Sequence, residues 1–109
     1  METSESCVFC RIVSGAAPRT VLYENDNVIV IKDKHPQSAV HWLVIPKKHI
    51  PDFLALDDTS LINLFKTVQK IIREQKITNY RIVNNGNGAA IVDHVHIHIM
   101  GSVGKFWNL

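Results

Sequence analysis

The sequence predicts an α+β domain: a five-stranded antiparallel sheet with one long helix and a short N-terminal helix. Three observations predict it. Apolar, β-branched segments bounded by turn residues recur in the first half of the chain and again near the C-terminus. Four of these segments form adjacent pairs with short links, which suits antiparallel pairing. Between the two groups lies one helical stripe: Leu61, Leu64, Phe65, Val68, Ile71 and Ile72, at i, i+3, i+4, i+7 spacing. The 109 residues are the size of one domain, expected to span 1–109 with residues 1–6 flexible.

Taken in order, residues 7–14 carry Val8, Phe9, Ile12 and Val13 and suit one or two helical turns, ended by Gly15 and Pro18. Residues 21–24 and 28–33 read as two strands of a hairpin around the turn Asn25-Asp26-Asn27. Residues 34–38 read as a loop, with His35 solvated before Pro36. Residues 41–45 form a third strand, stopped by Pro46. Asp57, Asp58 and Thr59 supply a cap and negative charge at the start of the long helix. Lys70, Arg73 and Lys76 place positive charge towards its end. Residues 80–84 are a fourth strand. Asn85-Gly86-Asn87-Gly88 is a turn, and residues 93–100 are the fifth strand.

Composition sets limits on function. The chain is 46% hydrophobic and 20% charged with a net charge of +2, ordinary globular values. The one small basic cluster, Pro46-Lys47-Lys48-His49, is too short to predict nucleic-acid binding. No apolar run approaches the ~20 residues of a membrane span. The polar start Met1-Glu2-Thr3-Ser4-Glu5 does not fit a secretory signal. The expectation is a cytoplasmic protein, also nuclear in a eukaryotic host.

The fifth strand carries the strongest chemical signal. Asp93-His94-Val95-His96-Ile97-His98-Ile99-Met100 places three of the chain's six histidines at alternate positions. On a strand, the imidazoles point to one face and Val95, Ile97 and Ile99 to the other. Imidazole serves as nucleophile, general base or metal ligand near neutral pH, and spacing alone does not choose among these. The segment 84–90 before it is either a hairpin turn or a glycine-rich cradle for an anion. It is not a Walker loop, because no Gly-Lys-Ser/Thr follows. The two cysteines, in Cys7-Val8-Phe9-Cys10, cannot make a disulfide framework. They are a redox dithiol, half of a metal site, or two buried thiols. No strand precedes them, which counts against a thioredoxin-like motif. Metal binding leads among the functional readings, provided two more ligands lie elsewhere.

With this triad, the segment His41-Trp42-Leu43-Val44-Ile45-Pro46-Lys47-Lys48-His49 and the N-terminal Cys-x-x-Cys, the chain resembles the histidine triad (HIT) superfamily. It is most similar to the Hint branch of nucleoside phosphoramidases. The likeness runs from about Cys7 to Trp107, and the short tail with Trp107 favours Hint over the Fhit branch. The resemblance implies a HIT-like fold, a homodimer, and a hydrolase acting on purine nucleoside 5′-phosphoramidates or related nucleotidyl conjugates. It implies a nucleotidyl-histidine intermediate on His96, with His98 on the α-phosphate and His41 in the catalytic cluster. Asp33 matches the residue that holds the ribose. Phe9, Ile12, Ile31 and Leu43 match the apolar base pocket, Asn84 an asparagine near the phosphate, and Ala90 a phosphate-contacting position. The ligand implied is an AMP- or GMP-type purine nucleotide, with no role for nucleic acid or membrane. Cys7, Cys10, His49 and His94 match a structural zinc site, a closed Cys₂His₂ set, and no catalytic metal is required.

The chain departs from that pattern in one place. Family members commonly carry Gln followed by Ser, Thr or Glu where this chain has Ala90 and Ile91. Missing polar contacts of this kind cost about 10²-fold or more in rate. The alternative expectation is therefore a nucleotide-binding or adaptor protein with weak or vestigial hydrolase activity.

Overall fold

The computed structural model describes residues 6–105. Residues 1–5, expected to be flexible, and Trp107 of the tail lie outside the described residues. Two helices, α1 (Val8–Ser14) and α2 (Asp58–Glu74), accompany five strands: β1 (Val21–Glu24), β2 (Val28–Lys32), β3 (Val40–Pro46), β4 (Arg81–Val83) and β5 (Ile97–Gly101). The strands form one antiparallel sheet in the order β1-β2-β3-β5-β4. This is the α+β sheet that the sequence predicts.

Burial explains the layering. β2 is buried at four consecutive positions, Val28 to Ile31, so it needs cover on both faces. Val28 and Val30 join Val44, Ile97 and Ile99 against Leu64, Val68 and Ile71 of α2. Ile29 and Ile31 join Leu43 and Ile45 against Phe9, Cys10 and Ile12 of α1. Asp57 caps α2 by accepting the Ser60 amide at 2.8 Å. Phe65, read as part of the buried stripe, sits at its margin, 37% exposed, with its ring 6.4 Å from that of Phe53. Phe53–Ala55, a 3-10 turn, escaped the sequence reading because three residues carry no periodicity. Gly15 ends α1 in the left-handed region, φ 87°, as its position predicts.

Two sequence expectations need correction. The fifth strand is shorter than the segment 93–100. Its ladder to β3 starts at the Val44–Ile97 pair, and residues 93–96 run as irregular backbone. There the Val95 amide donates to the Ile50 carbonyl at 2.7 Å instead of to β3. The Asn85–Gly88 turn is also not the tip of a tight hairpin. β4 and β5 are joined by residues 84–96, within which a turn is closed by the Ala89 amide on the Gly86 carbonyl. Asp52 holds this link: its Oδ1 accepts the Asn87 amide at 2.9 Å. A Cβ on Gly86 would meet that same oxygen at 2.9 Å, so a side chain there would push Asp52 aside. Among the described residues, no helix is long and apolar enough to cross a membrane.

Candidate active site

The alternation read from the sequence survives the shortened strand. Val95, Ile97 and Ile99 pack into the α2 core, which leaves the histidines to the α1 side. Four rings adjoin there. Phe9 of α1 lies 4.7 Å from His96, His96 lies 5.0 Å from His98, and His98 lies 5.1 Å from His41 of β3 (centroid distances). His41, His94 and His96 are buried, and His98 is half-buried on the ladder. No buried side-chain nitrogen or oxygen among the described residues lacks a hydrogen-bond partner.

Main-chain groups set the tautomers. His96 Nδ1 lies 2.8 Å from the His94 carbonyl oxygen, so Nδ1–H donates and Nε2 keeps its lone pair. The Gln37 amide donates to His41 Nδ1 at 3.0 Å, so the proton of a neutral His41 sits on Nε2. That Nε2–H faces His98 Nδ1 at 2.8 Å and Asp33 Oδ2 at 3.2 Å. His98 Nδ1 therefore accepts, and its own proton sits on Nε2. Burial pushes His98 down to about 4, helped by neighbouring His96 and His41 and opposed by Asp33. Burial also lowers His41, again against Asp33. Both rings are neutral at neutral pH, as this chain of tautomers requires.

A cleft of about 780 Å³ opens beside these rings. Of the residues matched to the nucleotide site, it is lined by Phe9, Ile12, Ile31, Asp33, Leu43, Ala90, His96 and His98. Asn84 is absent from the lining. Its Nδ2 donates to the His96 carbonyl at 3.1 Å, so it holds the main chain of His96, and Asn85 faces the cleft instead. His41 stands behind His98. Ile91 lines the cleft and is fully exposed, so its side chain does not face the core. His35 is exposed, as expected. The amides of Asn87 and Ala89 are taken by Asp52 and Gly86, which weakens the reading of the glycine segment as an anion cradle. Gln37 was missed by sequence reasoning, because a main-chain amide leaves no side-chain signature.

The second group of donors lies on the other side of His96. Cys7, Cys10, His49 and His94 place their Sγ and ring nitrogen atoms within 4.8 Å of one another. His94 Nδ1 lies 3.4 Å from Cys7 Sγ and 3.6 Å from Cys10 Sγ, and His49 Nδ1 lies 3.1 Å from Cys10 Sγ. Bond lengths of about 2.3 Å to sulfur and 2.0 Å to nitrogen set tetrahedral S and N ligands about 3.5 Å apart. The set therefore fits zinc. Orientation agrees: His94 Nε2–H donates to the Pro46 carbonyl at 2.8 Å, which leaves Nδ1 unprotonated towards the thiols. Asp33, His41 and His98 also cluster closely enough for an ion. There the Gln37 amide keeps the His41 proton on Nε2, the atom that would have to bind, so this trio fits a hydrogen-bond relay better.

Comparison with known proteins agrees with this geometry. The family model described as "Scavenger mRNA decapping enzyme C-term binding" matches residues 6–106. The adenosine 5′-monophosphoramidase hnt1 of Schizosaccharomyces pombe is 37% identical, over 87% of this chain and 73% of its own. A HIT-like protein of Methanocaldococcus jannaschii is 38% identical, over 92% of this chain and 86% of its own. The chain belongs to the histidine triad superfamily. A HIT family hydrolase from Clostridium thermocellum superposes with a TM-score of 0.87 at 36% identity, covering 97% of this chain and 100% of that one. A zinc-bound histidine triad family protein from Mycobacterium smegmatis superposes with a TM-score of 0.80 at 35% identity, covering 88% and 74%. At the family level these comparisons support a HIT hydrolase, and the Cys₂His₂ group makes a structural zinc plausible.

The lowered histidines give a pH dependence of definite sign. His98 titrates near 4 when folded and near 6.5 when unfolded. Between those values the unfolded chain binds more protons, so stability is fully present above about pH 6.5 and falls as pH drops towards about 4. Urea unfolding across that range is expected to show this slope, and His98→Asn is expected to flatten it. An equally steep slope in the variant would assign the effect to other groups.

Proposed function

We propose that the chain hydrolyses purine nucleoside 5′-phosphoramidates or related nucleotidyl conjugates through a nucleotidyl-His96 intermediate. The observation that carries this is the 2.8 Å contact of His96 Nδ1 with the His94 carbonyl, on a ring that also lines the cleft. In this reading Phe9, Ile12, Ile31 and Leu43 take the base and Asp33 takes the ribose hydroxyls. His96 Nε2 attacks the α-phosphorus and the P–N bond to the amine breaks. The amine takes its proton from solvent, since Ala90 and Ile91 have none to give. His98 Nε2–H donates to a non-bridging oxygen as charge builds on it. Water then attacks the same phosphorus, releases the nucleotide and frees His96. The phosphoramidase activity named for the Schizosaccharomyces pombe relative supports this substrate class.

Three further readings belong with it. Zinc in the Cys7, Cys10, His49 and His94 group would tie α1 to the segment before β5, outside the reacting atoms. A homodimer would bury Ile62 and Phe65 of α2 and Ile82 of the edge strand β4, which are 55%, 37% and 42% exposed. The site would work in the cytoplasm, without nucleic acid or membrane.

One observation favours the second function, nucleotide binding with slow turnover. Ala90 and Ile91 line the cleft and offer it no side-chain hydrogen bond.

His96→Ala is expected to abolish hydrolysis of adenosine phosphoramidate while AMP affinity stays within about tenfold, because base and ribose contacts lie elsewhere. Mass spectrometry of quenched wild-type protein is expected to find the nucleotidyl adduct on His96. An adduct on another residue, or an active variant, would sink the mechanism.

Metal analysis of the purified chain is expected to give about one zinc per chain. Cys7→Ser with Cys10→Ser is expected to lower both that content and the melting temperature. A metal-free wild type with the melting curve of the double variant would remove the zinc assignment.

Ala90→Gln with Ile91→Ser is expected to raise kcat about tenfold, only ~1.4 kcal/mol, with little change in KM. The exposure of Ile91 means the serine removes no core packing. A folded, AMP-binding variant with unchanged kcat would show that the missing polar pair does not limit turnover.

A further inference from the structure

The nucleophile is held by a short segment that the sheet does not hold. Residues 93–96 lie off the β5 ladder. Their position rests on four hydrogen bonds: His94 Nε2 to the Pro46 carbonyl, the Val95 amide to the Ile50 carbonyl, His96 Nδ1 to the His94 carbonyl, and Asn84 Nδ2 to the His96 carbonyl. His94 enters twice. Its ring nitrogen Nδ1 belongs to the thiol group, and its carbonyl orients the His96 imidazole. The same thiols anchor α1, whose Phe9 ring packs against both His94 and His96, at 5.9 and 4.7 Å. A change at Cys7 and Cys10 thus reaches His96 by two routes: through His94, which does not line the cleft, and through Phe9, which does.

We propose that His94 is a positioning residue that couples the Cys7–Cys10–His49 group to His96, so that oxidation of the two cysteines slows turnover while the cleft still binds nucleotide. The proposal rests on the hydrolase reading for its kinetic arm only. The two sulfurs are within 4.8 Å of one another at the start of α1, Cys7 as its N-cap and Cys10 in its first turn. Side-chain rotation there can bring them to the ~2.05 Å of a disulfide. The step is a two-electron oxidation by a peroxide. Two thiols form one S–S bond, two electrons pass to the peroxide, its O–O bond breaks, and with hydrogen peroxide the thiol protons leave in two waters. Where the thiolates hold zinc, the ion leaves unreduced and two solvent protons replace those of the thiols. His94 then keeps the Pro46 hydrogen bond but loses its partners at Nδ1, and its carbonyl is no longer fixed from the ring side.

The test uses the full chain, zinc-loaded and labelled with ¹⁵N-histidine, titrated with hydrogen peroxide at one pH. Thiol count, zinc release to a chromogenic chelator, the His96 ring ¹⁵N resonances, AMP affinity and turnover of adenosine phosphoramidate are followed together. Disulfide formation and zinc release are expected in step. The His96 resonances are expected to shift or broaden, and kcat to fall at least about tenfold. AMP affinity is expected to stay within about threefold. Dithiothreitol with zinc should restore all of these.

Unchanged His96 resonances after complete Cys7–Cys10 oxidation would overturn the coupling, whether or not the reduced chain turns substrate over. Absence of turnover in the reduced chain, with moving His96 resonances, would instead fault the hydrolase reading and leave the coupling standing. His49→Ala removes one donor and leaves Cys7, Cys10 and His94 in the sequence, while also removing the ring that packs edge-on against His94 at 4.9 Å. It is expected to weaken zinc retention and move the His96 resonances in the same direction, and resonances identical to wild type at matched zinc loss would also overturn the coupling.

Discussion

A sheet that must be covered on both faces decides where the chemistry sits. β2 and β3 carry apolar side chains on both sides, and neither side can be left to water without exposing several β-branched residues. α2 covers one face with a full aliphatic stripe. The other face receives only the two short turns of α1, so its cover is incomplete. The uncovered part is the cleft. The period of two on β5 then hands its aliphatic residues to α2 and His98 to the cleft. Placing a polar site on the under-covered face costs little, because each buried ring finds a partner there.

Most of this was legible in the sequence where a period exists. The α2 stripe and the strands before it follow from repeats of 3.6 and two. What was not legible comes from main-chain groups. The period of two continues through His94 and Val95, yet the strand does not, because β3 and β5 part beyond the Val44–Ile97 pair and the Ile50 carbonyl claims the Val95 amide. The Asn-Gly pairs suggested a tight hairpin, yet Asp52, far away in the chain, holds that link by the Asn87 amide. The resemblance placed Asn84 by the phosphate, while the structure puts its amide on the His96 carbonyl. In each case the deciding contact is a tertiary hydrogen bond to a main-chain group, which no side-chain pattern announces.

The same principle separates two histidine clusters of similar composition. Around His94, a carbonyl takes the Nε2 proton and leaves Nδ1 to face two sulfurs. Around His41, an amide takes the Nδ1 lone pair and leaves Nε2–H to face His98 and Asp33. One donor or acceptor from the backbone leaves an imidazole nitrogen free to bind a metal, and the opposite one makes the ring a proton-bearing link. His96 lies between them with a carbonyl on Nδ1, so its Nε2 is the free lone pair among rings committed elsewhere.

Neutral rings bear on how such a site treats phosphate. A permanent imidazolium beside the α-phosphate would attract substrate and transition state alike, which favours binding over rate. A neutral His98 with its proton on Nε2 attracts the ground-state phosphate weakly. It strengthens as negative charge collects on the oxygen it touches. On the proposed hydrolase reading, a His98 lowered to about 4 would exert its influence mainly in the transition state. Arg19, Lys32 and Lys34 line the cleft as well. In that reading they would supply cationic attraction for an anion from side chains other than the buried rings. Affinity and rate would in this way fall to different residues. The apolar Ala90 and Ile91 would fall on the rate side: they offer no hydrogen-bond donor to a departing group and leave the apolar walls of the cleft unchanged.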